Sequence, residues 1–274
     1  MTEKEYLKEY SIEKFDRPSV TADVVTFTIR NEEEGSYRRN PESRLHILLT
    51  KREWYPYKGC WGLPGGFLTP GETVEECALR EMKQKTGVQP VSLVSVGTYS
   101  EVGRDPRGWI ISNAFAGIIS SEMSDSPEIK SAKDAKWFLV KMEKEGEKNR
   151  LILSADGERI EAVLKEKENR FGRVYFNIEE NGGLAFDHAG IIGTALAALR
   201  NSAAKFEMIF DFLPEKFTLS SLQKVQETIL NTSLTAANFR RKALNYVEET
   251  EERTEGAGHR PALLYKSRKI THCL

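Results

Sequence analysis

The chain has 274 residues, of which 39% are hydrophobic and 30% charged, and its formal net charge is −1. This composition predicts an ordinary globular protein of about two domains, with enough apolar residues for a core. The N-terminus is charged and lacks an apolar signal segment, and no stretch approaches the ~20 apolar residues that cross a bilayer, so we expect a cytoplasmic protein without a membrane partner. Three scattered cysteines favour reduced thiols over a disulfide framework.

The first part of the chain alternates between strand-like and loop-like segments. Residues 23–29 are rich in β-branched side chains and predict a strand, and residues 45–50 predict a second strand after a charged loop at 31–43. Residues 61–67 then lead into a helix. The later segments are predicted as strands at 91–99, 109–119 and 135–140 and as a closing apolar helix at 185–206.

Residues 65–88 carry the most specific pattern of the chain. This stretch resembles the Nudix box, Gly-x5-Glu-x7-Arg-Glu-U-x-Glu-Glu-x-Gly-U, in which U is a bulky aliphatic residue. Two adjacent positions fail, because Gln84 and Lys85 stand where the box has two glutamates. The resemblance implies the α/β fold of that family, an α/β/α sandwich with a mixed sheet. The agreeing residues are Gly66, Glu72, Arg80, Glu81, Met82, Gly87 and Val88.

The two failures lie on a predicted helix. An apolar stripe over residues 73–86, followed by Gly87, predicts that helix and its end, so positions 81, 84 and 85 share one face. In active members of the family, three carboxylates on this face hold Mg²⁺ or Mn²⁺ against a pyrophosphate. Here the formal charge of the face falls from −3 to zero, and Lys85 is placed to pair with Glu81.

Hydrolysis is therefore expected to be weak or absent. Glu72, Arg80 and Glu81 are the candidate catalytic residues, as remnants of a degenerate box. The alternative is a residual Mg²⁺ or Mn²⁺ site on Glu81 and Glu72. Other acidic residues that could re-form such a site are Glu75, Glu76 and Glu101.

A loop at residues 103–108, Gly-Arg-Asp-Pro-Arg-Gly, follows the box and runs into a strand. It resembles a loop of ADP-ribose pyrophosphatases within the Nudix superfamily, and guanidinium groups beside a phosphate-handling motif are suited to phosphate oxygens. A surface Asp-Pro turn with solvated arginines is the alternative. The expected ligand-binding residues are Arg52, Gly65, Gly66, Arg104, Asp105 and Arg107.

Three other segments are less specific. Residues 144–180 contain a predicted hairpin around 155–157 and are interpreted as an insertion in the Nudix domain. Before the closing helix, Asp187 is interpreted as its N-cap and His188 as a first-turn residue, in preference to a catalytic histidine. Residues 211–216, which include a proline, predict a short linker.

The C-terminal region predicts a winged helix-turn-helix. Residues 217–230 and 235–247 predict two helices separated by a tight turn, and residues 247–253 and 262–265 predict the strands of a wing. A cluster of basic residues on the second helix indicates DNA binding, and a solvated helix face is the alternative. The expected DNA contacts are Asn238, Arg240, Arg241, Lys242 and Arg260.

Taken together, these features resemble the Nudix-related transcriptional regulators, the NrtR family. The resemblance implies a Nudix domain at 1–210, with the insertion at about 144–180, followed by a winged helix at 211–274. It also implies an ADP-ribose-like nucleotide as effector and a double-stranded operator bound by a homodimer. An Mg²⁺-dependent pyrophosphohydrolase acting on ADP-ribose is the main alternative.

Overall fold

The computed structural model describes residues 1–32, 42–124, 132, 134–170, 172–254 and 261–268. The helices are α1 (Glu3–Glu9), α2 (Val74–Thr86), α3 (Ser121–Ser124), α4 (His188–Ala204), α5 (Leu219–Leu230) and α6 (Ala236–Ala243), with 3₁₀ turns at Ile12–Lys14 and Met208–Phe212. The strands are β1 (Ser19–Glu32), β2 (Glu42–Lys51), β3 (Trp61–Gly62), β4 (Gly65–Phe67), β5 (Ser92–Tyr99), β6 (Ile110–Ile118), β7 (Ala135–Glu145), β8 (Lys148–Ala155), β9 (Glu158–Glu168), β10 (Val174–Glu180), β11 (Val247–Arg253) and β12 (Leu263–Ser267).

The central sheet is mixed, as predicted. Its strands follow the order β10-β9-β8-β7-β2-β1-β6-β5, with β3 paired to β2 and β4 paired to β1. Strands β1 and β6 run parallel, and the other paired strands of this sheet are antiparallel. The parallel pair brings the start of β1 beside the start of β6, directly after the loop that carries the predicted arginines.

Helices cover both faces of this sheet. Side chains alternate along β1, so Ala22 and Val24 pack on the α2 face with Met82, while Val25 and Phe27 belong to the larger core on the α4 face. The α/β/α sandwich is therefore confirmed. Helix α2 begins and ends where the sequence predicts: Thr73 forms a capping box with Glu76, and Gly87 adopts a left-handed conformation with φ of 78°.

Residues 144–180 do not form an excursion away from the domain. Strands β8, β9 and β10 continue the central sheet beyond β7, and the predicted hairpin around 155–157 joins β8 to β9. Helix α4 lies close against this extension because two of its residues lack side chains. A Cβ at Gly190 would lie 2.8 Å from the Phe176 carbonyl oxygen, and one at Gly193 would lie 2.8 Å from Leu164 Cδ1. The extension therefore supports α4.

The C-terminal unit has the predicted order of helices and strands. Thr218 caps α5, but α6 ends at Ala243, so the predicted helical end at 247 is wrong and Val247 begins the wing. The linker prediction is also incomplete, because the 3₁₀ turn Met208–Phe212 buries Ile209 and Phe212. The wing tip at 255–260, which includes Arg260, lies outside the described residues. None of the described helices is long and apolar enough to span a bilayer.

The C-terminal unit is attached to the sheet domain through the end of α4. Gln226 of α5 is buried and donates a hydrogen bond of 2.7 Å from Nε2 to the Ala203 carbonyl oxygen. Arg200 of α4 donates from Nε to the Ile229 carbonyl oxygen, at 3.3 Å, in the last turn of α5. A cation at a helix C-terminus stabilises the carbonyl groups exposed there. Helices α4 and α5 are thus joined by two polar contacts across the domain boundary.

Candidate functional site

A cavity of about 520 Å³ opens on the edge of the sheet where β1, β2 and β4 meet. The C-terminal end of α2, the loop at 104–107 and the first residue of α4 complete its wall. A volume in this range accommodates a nucleotide-sized ligand. All six predicted ligand-binding residues line it, namely Arg52, Gly65, Gly66, Arg104, Asp105 and Arg107.

Arg104 is buried and held by a carboxylate from a distant part of the chain. Its Nε and Nη2 atoms donate to the two oxygens of Asp187 at 2.8 and 2.6 Å, and its side chain is only 4% exposed. The alternative of a solvated arginine is therefore wrong for Arg104. Asp187 does occupy the N-cap position of α4, but its side chain makes no capping hydrogen bond. The carboxylate fixes the arginine at the cavity wall instead.

Arg107 is held within its own loop. Its Nε and Nη2 atoms donate to Asp105 at 3.0 and 2.6 Å, and Asp105 also accepts from the Arg107 backbone N–H at 3.0 Å. Burial acts to raise the pKa of Asp105, but the hydrogen bonds from Arg107 outweigh it and the pKa is lowered. Asp105 is therefore a positioning residue, and Arg107 presents its guanidinium to the cavity.

Phe186 provides an aromatic surface between two of these guanidinium groups. Its ring centroid lies 4.7 Å from Arg52 Cζ and 5.4 Å from Arg107 Cζ, distances at which cation–π attraction operates. Phe186 has a φ of 52°, which is uncommon for a bulky residue and costs of order 1 kcal/mol. Asn181 stabilises this conformation by donating from Nδ2 to the Phe186 carbonyl oxygen at 3.0 Å.

Arg52 approaches the ring from the loop after β2. Its Nε donates to the Pro56 carbonyl oxygen at 2.8 Å, which orients the guanidinium group. Burial, together with the neighbouring charge of Arg107, lowers the pKa of Arg52 from its usual value. The sequence contained Phe186 in the Leu-Ala-Phe-Asp-His segment, but no local signal distinguished it from a core residue.

Asp23 and His188 form a buried polar pair that the sequence analysis did not identify. His188 Nδ1 accepts from the Leu63 N–H at 2.9 Å, and its Nε2 lies 3.9 Å from Asp23 Oδ1. Burial lowers the pKa of His188 to about 3, so the imidazole is neutral. Burial also raises the pKa of Asp23, which accepts a hydrogen bond from Ser112. The sequence signal that could have revealed this pair was the single carboxylate, Asp23, in the apolar strand Asp-Val-Val-Thr-Phe-Thr-Ile.

The remnants of the box form a closed ionic cluster. Glu72 accepts from Arg80 Nε and Nη2 at 3.0 and 2.7 Å, and these hydrogen bonds lower its pKa to about 2. The other guanidinium nitrogen, Nη1, lies 2.5 Å from Glu81 Oε1. Glu81 Oε2 lies 3.2 Å from Lys85 Nζ, which confirms the predicted pair. Both glutamates are thus engaged by cations of the chain.

These residues do not fit a divalent cation. Mg²⁺ and Mn²⁺ require several carboxylate or carbonyl oxygens directed at one point, whereas Arg80 and Lys85 already occupy the oxygens of Glu72 and Glu81. Glu76 is used in the capping box of α2. Within the described part of the chain, no cluster of three His, Cys, Asp or Glu side chains is arranged to hold a metal. The metal site considered for Glu81 and Glu72 is therefore not supported.

The second candidate site is the exposed face of α6. Phe239 is buried and fixes the helix on the C-terminal core, which leaves the polar residues around it exposed to solvent. Among the described residues, no carboxylate lies within ion-pair distance of this basic cluster. The exposed residues are Asn238, Arg240, Arg241 and Lys242.

Two known families match this chain. Residues 26–154 match the family described as the NUDIX domain, and residues 209–267 match the NrtR DNA-binding winged helix domain. The first match runs from β1 into β8 and includes the box and the arginine loop, but it ends before β9 and β10. The second match covers α5, α6 and the described strands of the wing.

Individual relatives are similar either to nearly the whole chain or to a part of it. The chain is 28% identical over 269 residues to the ADPR responsive transcriptional repressor NtrR of Acinetobacter baylyi. This match covers 97% of this chain and 88% of that protein. It is 47% identical over 93 residues to an ADP-ribose pyrophosphatase of Methanocaldococcus jannaschii, covering 34% of this chain and 53% of the relative. Shewanella oneidensis NrtR, solved in complex with a 27mer DNA, superposes with a TM-score of 0.61 at 26% identity over 91% of this chain and 93% of that one.

Proposed function

We propose that the chain is a nucleotide-controlled transcriptional regulator of the NrtR-like, Nudix-related type, because it combines a Nudix domain with an NrtR winged helix domain. In this proposal the Nudix domain, residues 1–210, binds ADP-ribose or a related nucleotide, and the winged helix, residues 211–274, binds operator DNA. Asn238, Arg240 and Arg241 contact base edges, because amide and guanidinium groups pair with adenine and guanine in the major groove. Lys242 and Arg260 contribute positive charge towards the phosphate backbone.

The observation that carries the proposal is the position of α4. Its first residue, His188, lies in the cavity wall, and Arg200 near its other end contacts α5 of the winged helix. The same rigid element therefore touches the ligand cavity and the DNA-binding unit. A ligand that favours one position of α4 would shift the relative arrangement of the two halves, and with it the affinity for DNA.

The chemistry of the cavity favours a nucleotide with a diphosphate. Arg52, Arg104 and Arg107 line the cavity, and the N–H groups that their guanidiniums do not use within the chain are donors for phosphate oxygens. Phe186 offers a ring beside them, and the exposed Trp54 and Tyr55 lie at the rim, where a base could stack. The names of the Acinetobacter and Methanocaldococcus relatives both refer to ADP-ribose, which contains this combination of groups.

A homodimer is part of the proposal. Two copies would place two recognition helices about 34 Å apart and read a pseudo-palindromic operator. The N-terminal segment offers a contact between copies, because the rings of Tyr6, Tyr10 and Phe15 contact one another in series yet remain about half exposed. Light scattering should give twice the chain mass for the wild type, and replacing the three rings by serine should shift it towards the monomer.

The deciding experiment is selection of binding sites from a random duplex DNA pool, with and without ADP-ribose. The proposal expects a palindromic motif whose recovery changes when ADP-ribose is present. A matched selection with Arg240→Ala and Arg241→Ala should recover no motif. Failure of the wild-type protein to enrich any sequence in either condition would remove the regulator proposal.

A hydrolase is the second candidate, because 93 residues of the chain are 47% identical to an ADP-ribose pyrophosphatase. The engaged state of Glu72 and Glu81 counts against it. Turnover of ADP-ribose in excess Mg²⁺ or Mn²⁺ distinguishes the two functions. A kcat above ~1 per second would place the protein among ordinary enzymes and contradict a role as sensor alone.

A further inference from the structure

Lys85 occupies an unusual position at the cavity wall. Its ammonium group donates to the Gly65 carbonyl oxygen and lies 3.2 Å from Glu81 Oε2. A carboxylate and a backbone carbonyl are oxygen donors of the type that hard cations take in proteins. The ammonium group is thus a cation held between two such oxygens, and 42% of the side chain remains exposed.

The backbone around Lys85 is shaped for this arrangement. A Cβ at Gly66 would lie 2.3 Å from the Glu81 carboxyl carbon, so only glycine allows β4 to approach the glutamate so closely. Arg80 holds the opposite oxygen of Glu81 at 2.5 Å. The carboxylate is therefore fixed on one side by Arg80 and presented to Lys85 on the other.

We infer that Lys85 is a phosphate-binding residue that takes the place of a divalent cation, so the cavity binds a diphosphate nucleotide without metal. This inference rests on the proposed effector function. The ammonium group has three N–H donors, of which two are directed at Gly65 and Glu81, which leaves a donor for a phosphate oxygen. Its unit positive charge lies in the same wall as Arg52 and Arg104.

An ammonium group in place of a metal ion allows the cavity to bind a diphosphate without promoting its hydrolysis. A metal ion promotes hydrolysis by coordinating water and lowering its pKa, which makes the water a nucleophile. An ammonium group has no coordination position for water and supplies only hydrogen bonds and charge. Lys85 therefore retains attraction for the diphosphate while removing a source of the attacking water.

The test measures ADP-ribose affinity by calorimetry on the full chain, in EDTA and in excess Mg²⁺. The wild type is expected to bind equally, within about twofold, in both conditions. Lys85→Met, which keeps the length of the side chain, should weaken binding at least tenfold in EDTA. Lys83→Met is the matched control, because Lys83 lies on the same helix, is exposed and does not line the cavity; its affinity should be unchanged.

The outcomes separate this inference from the proposed function. Binding by the wild type only in Mg²⁺ would overturn the role of Lys85 while leaving ADP-ribose as the effector. Equal affinity for wild type and Lys85→Met in EDTA would overturn it as well. Absence of binding in both conditions would overturn the proposed effector together with this inference. Thermal unfolding of each variant shows whether a loss of affinity reflects a loss of folded protein.

Discussion

The two charged regions of the molecule are constructed in opposite ways. In the cavity, Arg104 pairs with Asp187 and Arg107 pairs with Asp105, so each guanidinium is fixed and partly neutralised by the chain itself. On α6, Arg240 and its basic neighbours are exposed and have no carboxylate partner among the described residues. The cations of the cavity are held in place before a ligand binds, whereas the cations of α6 remain available to pair with a polyanion.

This difference has a physical consequence. A buried charge without its partner is costly, so the cavity pairs contribute to folding as well as to binding. Exposed cations contribute little to stability, and their effect appears when phosphates or bases provide the missing negative charge and hydrogen-bond acceptors. Substitutions should therefore affect stability in the cavity and DNA affinity on α6.

The largest effect is expected for Asp187→Asn. Removing the carboxylate leaves Arg104, whose side chain is 4% exposed, without its ionic partner, and should lower the free energy of unfolding by about 3 kcal/mol. Urea unfolding measures this value. Asp156→Asn is the control, because Asp156 lies in the exposed turn between β8 and β9. A loss below about 1 kcal/mol for Asp187→Asn would mean that the cavity pair is not a structural element.

The next effect is expected for Arg240→Ala combined with Arg241→Ala. Each base contact is worth about 1–3 kcal/mol, so operator affinity should fall at least about 30-fold at fixed salt, while the unfolding free energy changes by less than about 0.5 kcal/mol. Fluorescence anisotropy with the selected operator measures the affinity. Lys144→Ala with Lys167→Ala removes the same charge from exposed positions of the sheet domain and should have a much smaller effect. Equal losses in both variants would rule out specific contacts from α6.

The response of stability to pH tests the buried pair. Burial lowers the pKa of His188 from 6.5 to about 3, so the unfolded chain takes up the proton first. The contribution of neutral His188 is complete above pH ~6.5 and is lost as the pH falls towards 3. Between pH 7.5 and 5.5 the wild type should lose about 1.4 kcal/mol more than His188→Asn. Burial raises the pKa of Asp23, which gives the unfolding free energy a slope against pH of the opposite sign. This slope is common to the wild type and His188→Asn, so the difference between the two proteins reports on His188.

The smallest effect is expected where the two regions are joined. Arg200→Met removes the hydrogen bond to the Ile229 carbonyl oxygen but retains an apolar side chain. The affinity for ADP-ribose alone and the affinity for DNA alone should each stay close to wild type. The ratio of DNA affinities with and without ADP-ribose should shrink by about fivefold, or ~1 kcal/mol of coupling. Lys205→Met, just after the same helix and exposed, is the control. An unchanged ratio would show that coupling does not pass through Arg200.

The sequence predicted the elements whose signals are local. The box helix was predicted from its apolar stripe and from Gly87, and the first helix of the winged unit from its apolar face, because these signals act within a few turns. The pair between Glu81 and Lys85 was predicted for the same reason, since residues four apart on a helix are neighbours.

Features that depend on distant contacts were not predictable. Strands β8 to β10 pair with their neighbours in the chain through local turns, but they join the central sheet only because β7 pairs with the distant β2. That long-range pairing and the packing under α4 left no local signal, so the segment was interpreted as an insertion. Arg104 and Asp187 are separated by 83 positions, and no pattern in the sequence connects them. Asp23 was visible only as one carboxylate within an apolar strand, and its neighbours Ser112 and His188 lie far from it in the sequence.

The geometry of α4 has a mechanical consequence. The helix has 17 residues and, at 1.5 Å per residue, a length of about 26 Å. Close packing at Gly190 and Gly193 places its pivot near the cavity, so a rotation of about 5° would displace the far end by about 2 Å. Shifts of 1–2 Å in helices are typical of allosteric transitions. Helix α4 would thus convert a displacement well below 1 Å at the ligand into a larger one at its far end. In a dimer, the α4 helices of both copies would change the spacing of the recognition helices together.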